Sequence, residues 1–157
     1  MIMDERLEFA DAVSVAAGAG TALIGDVIDL SSVSRDVGLG EPIFLVITTD
    51  TEIITGGAAG TIEFQLVSDA QAAIATDGSA TIHARTGTLV TDDAAANDNR
   101  LNAGGIIYAG PLPHGDYERY LGILAVIATT TVTAGKINAF LTLDPPRTLR
   151  HYAEGAN

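Results

Sequence analysis

Histidines are the best transition-metal ligands in this cysteine-free sequence, which contains three of them. A metal site of the cupin type needs two histidines one residue apart on a strand, together with a carboxylate and a distant third histidine. His83 is followed by Ala84 and Arg85, so this pair is missing, while His114 lies in a proline-rich turn and His151 near the last residue. We therefore predict solvated histidines and no metal site, which also argues against a cupin-like enzyme.

Carboxylate and amide oxygens, the ligands that calcium prefers, are concentrated between residues 92 and 99. The side chains concerned are Asp92, Asp93, Asn97, Asp98 and Asn99. An EF-hand loop has ligands at alternate positions, a central glycine and a closing glutamate, and this segment lacks that pattern. We interpret residues 92–99 as a long, exposed acidic loop, and leave open whether they bind calcium.

Two carboxylates, those of Asp116 and Glu118, have the spacing of a general acid and base, because residues two apart on a strand face the same way. Nothing in the sequence surrounds them with a cleft, and Arg119 beside them is typical of a polar edge. The glycine-rich segment 56–61 lacks the Gly-Lys-Ser/Thr ending of a phosphate-binding loop, and no Gly-x-Ser-x-Gly sequence occurs. The sequence thus predicts no catalytic residue, no cofactor and no enzymatic activity.

The charge and hydropathy of the chain argue against several partners. Twenty acidic residues against eight basic ones give a net charge of −12, which repels DNA and RNA because nucleic-acid affinity comes largely from basic residues at the phosphates. The longest apolar run, residues 121–128, is far shorter than the roughly 20 residues that span a bilayer. The first residues lack the basic and apolar regions of a secretory signal. We predict a chain made in the cytosol that binds neither nucleic acid nor membranes directly.

The elements that position these side chains are predicted to be strands. In residues 61–66, Ile62, Phe64 and Leu66 share one face and polar side chains the other, and this period of two is typical of a half-buried strand. Eight segments have this character: residues 7–13, 22–30, 43–48, 61–66, 80–90, 105–109, 117–128 and 133–143. Residues 43–47 are apolar on both faces, which predicts the centre of a sheet covered on both sides.

About eight strands separated by glycine- and proline-containing turns predict an all-β fold, a jelly-roll-like sandwich of two sheets that forms a single domain over residues 1–157. Residues 68–75 could form one or two helical turns, capped by Ser68 or Asp69. Residues 1–6 are predicted to form an extended N-terminal arm, and residues 145–157, which begin with two prolines, a C-terminal tail.

Three large apolar residues are candidates for an interface. The last predicted strand alternates with Ile137, Ala139, Leu141 and Leu143 pointing inward. Phe140 breaks the pattern because it is a large apolar residue that faces out, which suggests contact with a partner. Leu7 and Phe9 could contribute in the same way if they are exposed, and ordinary core packing is the alternative for all three.

Three stretches of the sequence, in their order and spacing, resemble those of a known protein family. They are residues 7–12 (LEFADA), residues 27–30 (VIDL) followed by residues 35–46 (RDVGLGEPIFLV), and residues 138–144 (NAFLTLD). Together they resemble the Bbp16 family of phage capsid cement proteins. Within this pattern, Arg35, Asp36 and the turn of residues 38–42 stand out as family features and as further interface candidates.

The resemblance implies a jelly-roll cement or decoration protein without an active site. It implies a homo-oligomer, most simply a dimer, with a trimer as the alternative. Such an oligomer, made in the cytoplasm of the bacterial host, would bind the outer face of a capsid built from an HK97-type major capsid protein. It would brace neighbouring capsomers of the virion against the pressure of the packaged DNA.

A second interpretation is a carbohydrate- or receptor-binding β-sandwich module of a phage head fibre or tail. Sugar-binding sites usually rely on exposed aromatic rings, and this chain has four tyrosines and no tryptophan. Aromatic content therefore argues mildly against this alternative.

Overall fold

The computed structural model describes residues 5–31, 42–56, 59–92 and 97–145. In these ranges the chain forms nine strands: β1 (Glu8–Ser14), β2 (Gly20–Asp29), β3 (Phe44–Thr55), β4 (Gly60–Asp69), β5 (Thr81–Arg85), β6 (Leu89–Thr91), β7 (Ile106–Pro111), β8 (Tyr120–Ala128) and β9 (Val132–Thr142). Two single turns of 3₁₀ helix, Glu5–Leu7 and Asn99–Leu101, are the helical elements of the described part. The all-β prediction is confirmed.

The strands form two antiparallel sheets, one with the order β1-β9-β3-β7 and the other with the order β2-β8-β4-β5. Strand β6 also pairs with β4, further along the edge that β5 occupies, so β5 and β6 act as one interrupted strand. With these two counted as one, the described part has eight strands in two packed sheets, and their order is that of a jelly roll, the fold class that was predicted.

The interruption between β5 and β6 divides the predicted strand 80–90. At this point Thr86 bonds to β4 through its side chain as well as its backbone. Its hydroxyl accepts the Phe64 N–H at 3.0 Å, and its own N–H donates to Phe64 O at 3.0 Å. Gly87 follows with φ of 76°, a left-handed conformation that glycine adopts without strain. The chain thus leaves the β4 edge and returns to it within a few residues.

The core lies between the sheets and is built from the inward faces of their strands. Ile62, Phe64 and Leu66 of β4 point into it, opposite Leu45 and Ile47 of β3, and burying each such side chain contributes about 1.5–3 kcal/mol. Strand β3 lies between β9 and β7, and its residues 45–47 are buried on both faces, so the prediction for segment 43–47 is confirmed.

Strand β9 follows the predicted alternation for most of its length. Ile137, Ala139 and Leu141 belong to the core, whereas Leu143 lies just beyond the strand and is 64% exposed, so its predicted inward position was wrong. Phe140 is on the opposite face from the core, paired with Val46 of β3.

Residues 70–80 form a loop without helix, so the predicted helical turns were wrong. The carboxylate of Asp69 accepts the N–H groups of Gln71 and Ala75, both at 3.0 Å, and thereby holds the backbone in a wide turn. The loop places Ile74 against the outer face of the five-stranded sheet, where it joins Leu124 in a second apolar cluster. Asp69 therefore stabilises a loop, and its predicted role as a helix cap was wrong.

The two predicted terminal segments fall only in part within the described residues. Glu5 and Arg6, the end of the predicted arm 1–6, belong to the first 3₁₀ turn, and residues 1–4 lie outside the described residues. Of the predicted tail 145–157, the structure describes Pro145 alone.

Candidate functional site

The three apolar interface candidates have little exposed surface in the single chain. Phe9 is 1% exposed and packs between the sheets, as the alternative of core packing has it, and Leu7 is half-buried against the core. Phe140 has the predicted outward position but is only 4% exposed. Arg35 and Asp36 lie outside the described residues, as does most of the turn 38–42, whose last residue is described and exposed.

In the acidic segment 92–99, the side chains of Asn97 and Asp98 are engaged within the chain. Asn97 donates from Nδ2 to Ile53 O at 2.7 Å and accepts the Asp92 N–H at its Oδ1 at 3.3 Å. Asp98 caps the second 3₁₀ turn and forms an ion pair of 2.9 Å with Arg100, which lowers the pKa of the Asp98 carboxyl. Residues 93–96 lie outside the described residues, and within the described ranges no group of three or more His, Asp and Glu side chains could hold a metal ion.

Asp116 and Glu118 do not form the pair that their spacing allowed. Strand β8 begins at Tyr120, so both carboxylates lie in the preceding loop. Asp116 is exposed, whereas Glu118 is half-buried and accepts the hydroxyl of Thr81 at 2.9 Å. This hydrogen bond connects Glu118 to strand β5.

His83 is the titratable residue with the most elaborate surroundings. Leu66 of β4 pairs with Ala84 and Val67 pairs with Ile82, so His83 is the extra residue of a β-bulge. The bulge turns its ring toward Ser68, whose Oγ lies 2.7 Å from Nε2.

The His83 ring also contacts the loop before β8. It lies over Tyr117 with 4.1 Å between ring centroids. Desolvation lowers the pKa of His83, against the opposing attraction of Glu118, and burial raises the pKa of Tyr117 to about 12. The Tyr117 hydroxyl donates to Pro113 O.

The Ser68–His83 contact resembles that between a serine nucleophile and its general base, but Ser68 is 0% exposed. Its Oγ also accepts the Glu118 N–H at 3.1 Å, and the tautomer of the His83 ring sets whether Ser68 donates to Nε2 or accepts from it. A substrate carbonyl therefore has no path to this oxygen. The pair ties β4, β5 and the loop before β8 together, which is a structural task.

A more accessible site lies on the outer face of the five-stranded sheet. A partly open cavity of about 300 Å³ has a floor of Ile82 on β5 and Leu124 and Val126 on β8. Thr76 and Ala80 of the loop 70–80 form one wall. Ile74, the buried residue of that loop, shares an apolar cluster with Leu124 and does not itself line the cavity.

Polar groups surround this apolar floor. Gln65 is 8% exposed and donates from Nε2 to Glu63 Oε1 at 2.6 Å, which leaves its amide oxygen as an acceptor. Arg85 lies at the rim, half-exposed and 3.5 Å from Glu63, with donors to spare. Thr21 and Thr76 add two hydroxyls. The arrangement offers donors and acceptors around an aliphatic surface, with one cation that is already paired.

The sequence held one signal for this cavity that the period-two interpretation passed over. Segment 121–128 is apolar on both faces, as is segment 43–47, and such a strand is covered on both sides. The loop 70–80 covers only part of the outer face of this segment, and the sequence pattern does not show how much of a face is covered. The His83 bulge leaves no signal in the local sequence.

A comparison with protein families decides the affiliation of the chain. The model of the Bbp16 family matches residues 9–141. The chain belongs to the Bbp16 family.

This match to Bbp16 runs from Phe9 in β1 to Leu141 in β9, so the family relationship extends across the whole jelly roll. Bbp16 is a phage-associated family, and membership indicates a phage structural protein associated with the virion. No curated protein matches the chain. Among its described helices, none is long and apolar enough to cross a membrane.

Proposed function

We propose that this chain is a capsid cement protein that acts without turnover. It binds, as a homo-oligomer and most simply a dimer, to the outer face of a shell of HK97-type major capsid protein, and it braces neighbouring capsomers. The observation that carries the proposal is the Bbp16 match from β1 to β9, because it assigns the entire sandwich to a phage structural family.

The fold suits this task physically. A sandwich closed by one continuous core is a stiff body, and a two-fold oligomer presents two copies of the same contact surface. When the first copy binds one capsomer, binding of the second copy to the next capsomer is effectively intramolecular. Two contacts of modest affinity then give strong overall binding.

The alternative of a carbohydrate-binding module finds little support in the cavity described above. None of the described residues that line it is aromatic, so a sugar ring has no stacking platform there. A receptor-binding role in a head fibre or tail remains an outcome of the test.

The proposal is tested with expanded shells of the same phage that lack this chain. Purified protein should co-sediment with the shells and saturate them. Particles assembled with it should retain DNA to a higher temperature than particles without it. Equal DNA retention with and without the protein, or saturable binding to a glycan array without binding to shells, would overturn the cement role.

A further inference from the structure

The cavity on the outer face of the five-stranded sheet is preformed. Asp69 fixes the loop 70–80 through two backbone hydrogen bonds, and Asp77 holds Ser79 through its N–H at 3.0 Å and its hydroxyl at 2.6 Å. Ile74 anchors the loop against Gly122, where even an added Cβ would lie 2.5 Å from Ile74 Cδ1. A ligand entering the cavity would meet a wall already in place, which reduces the entropic cost of binding.

The size of the cavity limits its ligand. About 300 Å³ is at the lower end of the range for small-molecule sites, roughly 300–1,000 Å³. The floor of Ile82, Leu124 and Val126 favours an aliphatic group over a polar one. One apolar side chain with its adjoining backbone fits this description.

The charge of the site favours a neutral ligand. Glu63 lies 3.5 Å from Arg85 and balances its charge, so the rim offers no unpaired charge to attract an ionic ligand. The Gln65 amide oxygen can accept a hydrogen bond, and the Arg85 guanidinium can donate one beyond its contact with Glu63. A peptide group supplies one N–H and one C=O and is uncharged, so it complements both.

From these observations we propose that the cavity is a binding site for an apolar side chain of a partner protein, held together with its adjacent peptide group. The site stands on the geometry alone. The identity of the partner rests on the proposed function, under which the inserted residue belongs to the major capsid protein.

The site is tested on the ¹⁵N-labelled full chain with N-acetyl-leucinamide, an uncharged leucine side chain between two peptide groups. Saturable chemical-shift changes should cluster at Gln65, Ile82, Arg85, Leu124 and Val126. N-acetyl-glycinamide, which lacks the apolar side chain, and glucose should cause none. Shifts of equal size with either control compound, or no shifts with the leucine probe, would overturn the proposal.

Two variants sharpen this test. Val126→Phe fills the cavity and should weaken probe binding by about tenfold or more, as expected when an apolar side chain can no longer be buried. The matched control is Val90→Phe, on an exposed β6 residue that is absent from the cavity lining, and it should leave binding unchanged. Arg85→Gln, at a half-exposed side chain whose loss does not threaten folding, should weaken binding several-fold, and Arg100→Gln should not.

Binding to shells then separates the two proposals. If the wild type and Val90→Phe bind shells and Val126→Phe does not, the cavity is the capsid contact. If all three bind equally, the residue that enters the cavity does not belong to the major capsid protein, and the cement role stands. If the wild type itself does not bind, the cement role fails, and the probe titration alone decides whether the cavity is a peptide site.

Discussion

Strand β8 is apolar on both faces, and its neighbour β4 adds Val67 to the outer face of the sheet, yet the inner and outer faces are closed in different ways. On the inner face, Phe64 and Ile123 are packed against a complete second sheet. On the outer face, Val67 and Leu124 are covered by the loop 70–80, and the cover stops short of Val126. A face closed by a sheet is core, whereas a face closed by a loop keeps part of its apolar surface available to a partner.

The largest effect is expected on the inner face. Phe64→Ala should destabilise the fold by about 3–5 kcal/mol, because a fully buried aromatic side chain is lost and the surrounding sheets cannot collapse into the space. Urea unfolding followed by circular dichroism measures this change. A loss below about 1 kcal/mol would mean that the inner face is not the principal core.

On the outer face, removal of the anchoring side chain should cost less. Ile74→Ala is expected to destabilise by about 2 kcal/mol, at the low end for such a truncation, because the second cluster borders solvent. Hydrogen exchange should accelerate in residues 70–80 and remain slow in β4 and β8. Leu143→Ala, at an exposed residue, is the matched control and should change neither quantity. Faster exchange throughout β8 would show that the two faces unfold together.

The loop should also respond to acid through Asp69. Its backbone hydrogen bonds, that to Ala75 first, lower the pKa of this carboxyl below 3.8, so the stability that it contributes is present above pH 3.8 and is lost as pH falls through the lowered value. The Ala75 amide resonance should move in that window in the wild type. In Asp69→Asn the resonance should be displaced already at neutral pH and should not titrate. An Ala75 shift that persists in the variant would assign the transition to another group.

The smallest effect is expected at the bulge, where β5 passes from Ala84 on the inner face to Ile82 on the outer face. Desolvation lowers the pKa of His83 below 6.5, so the unfolded chain takes up the proton first and the stability from neutral His83 is lost as pH falls below 6.5. The facing groups are Ser68, Tyr117 and the carboxylate of Glu118, which attracts the charged ring and moderates the effect.

Thermal unfolding tests this expectation. The melting temperature of the wild type should fall more between about pH 7.5 and 5.5 than that of His83→Gln, which cannot titrate there. His114→Gln, at an exposed histidine, is the control and should behave as the wild type. Parallel curves of melting temperature against pH for all three proteins would show that His83 does not cause the loss of stability.

The strand pattern, the central position of segment 43–47 and the jelly-roll class were all predictable from the sequence. The strand pattern depends on the pleat of the backbone, which places alternate side chains on opposite faces. The central position of segment 43–47 follows from its apolar residues on both faces, and the jelly-roll class from the number of strands. The inward positions of Ile137, Ala139 and Leu141 follow from the same period. The resemblance of three stretches to Bbp16 was a sequence property as well, and the family match confirms it.

Only the tertiary structure decided which faces are covered and by what. Phe140 has the outward position that alternation assigns to it, but its burial depends on distant parts of the fold. The cavity exists because Ile74 reaches only part of the outer face, and the Ser68–His83 contact exists because a bulge turns one ring. Both result from contacts between segments far apart in the chain, and a local pattern carries no information about such contacts.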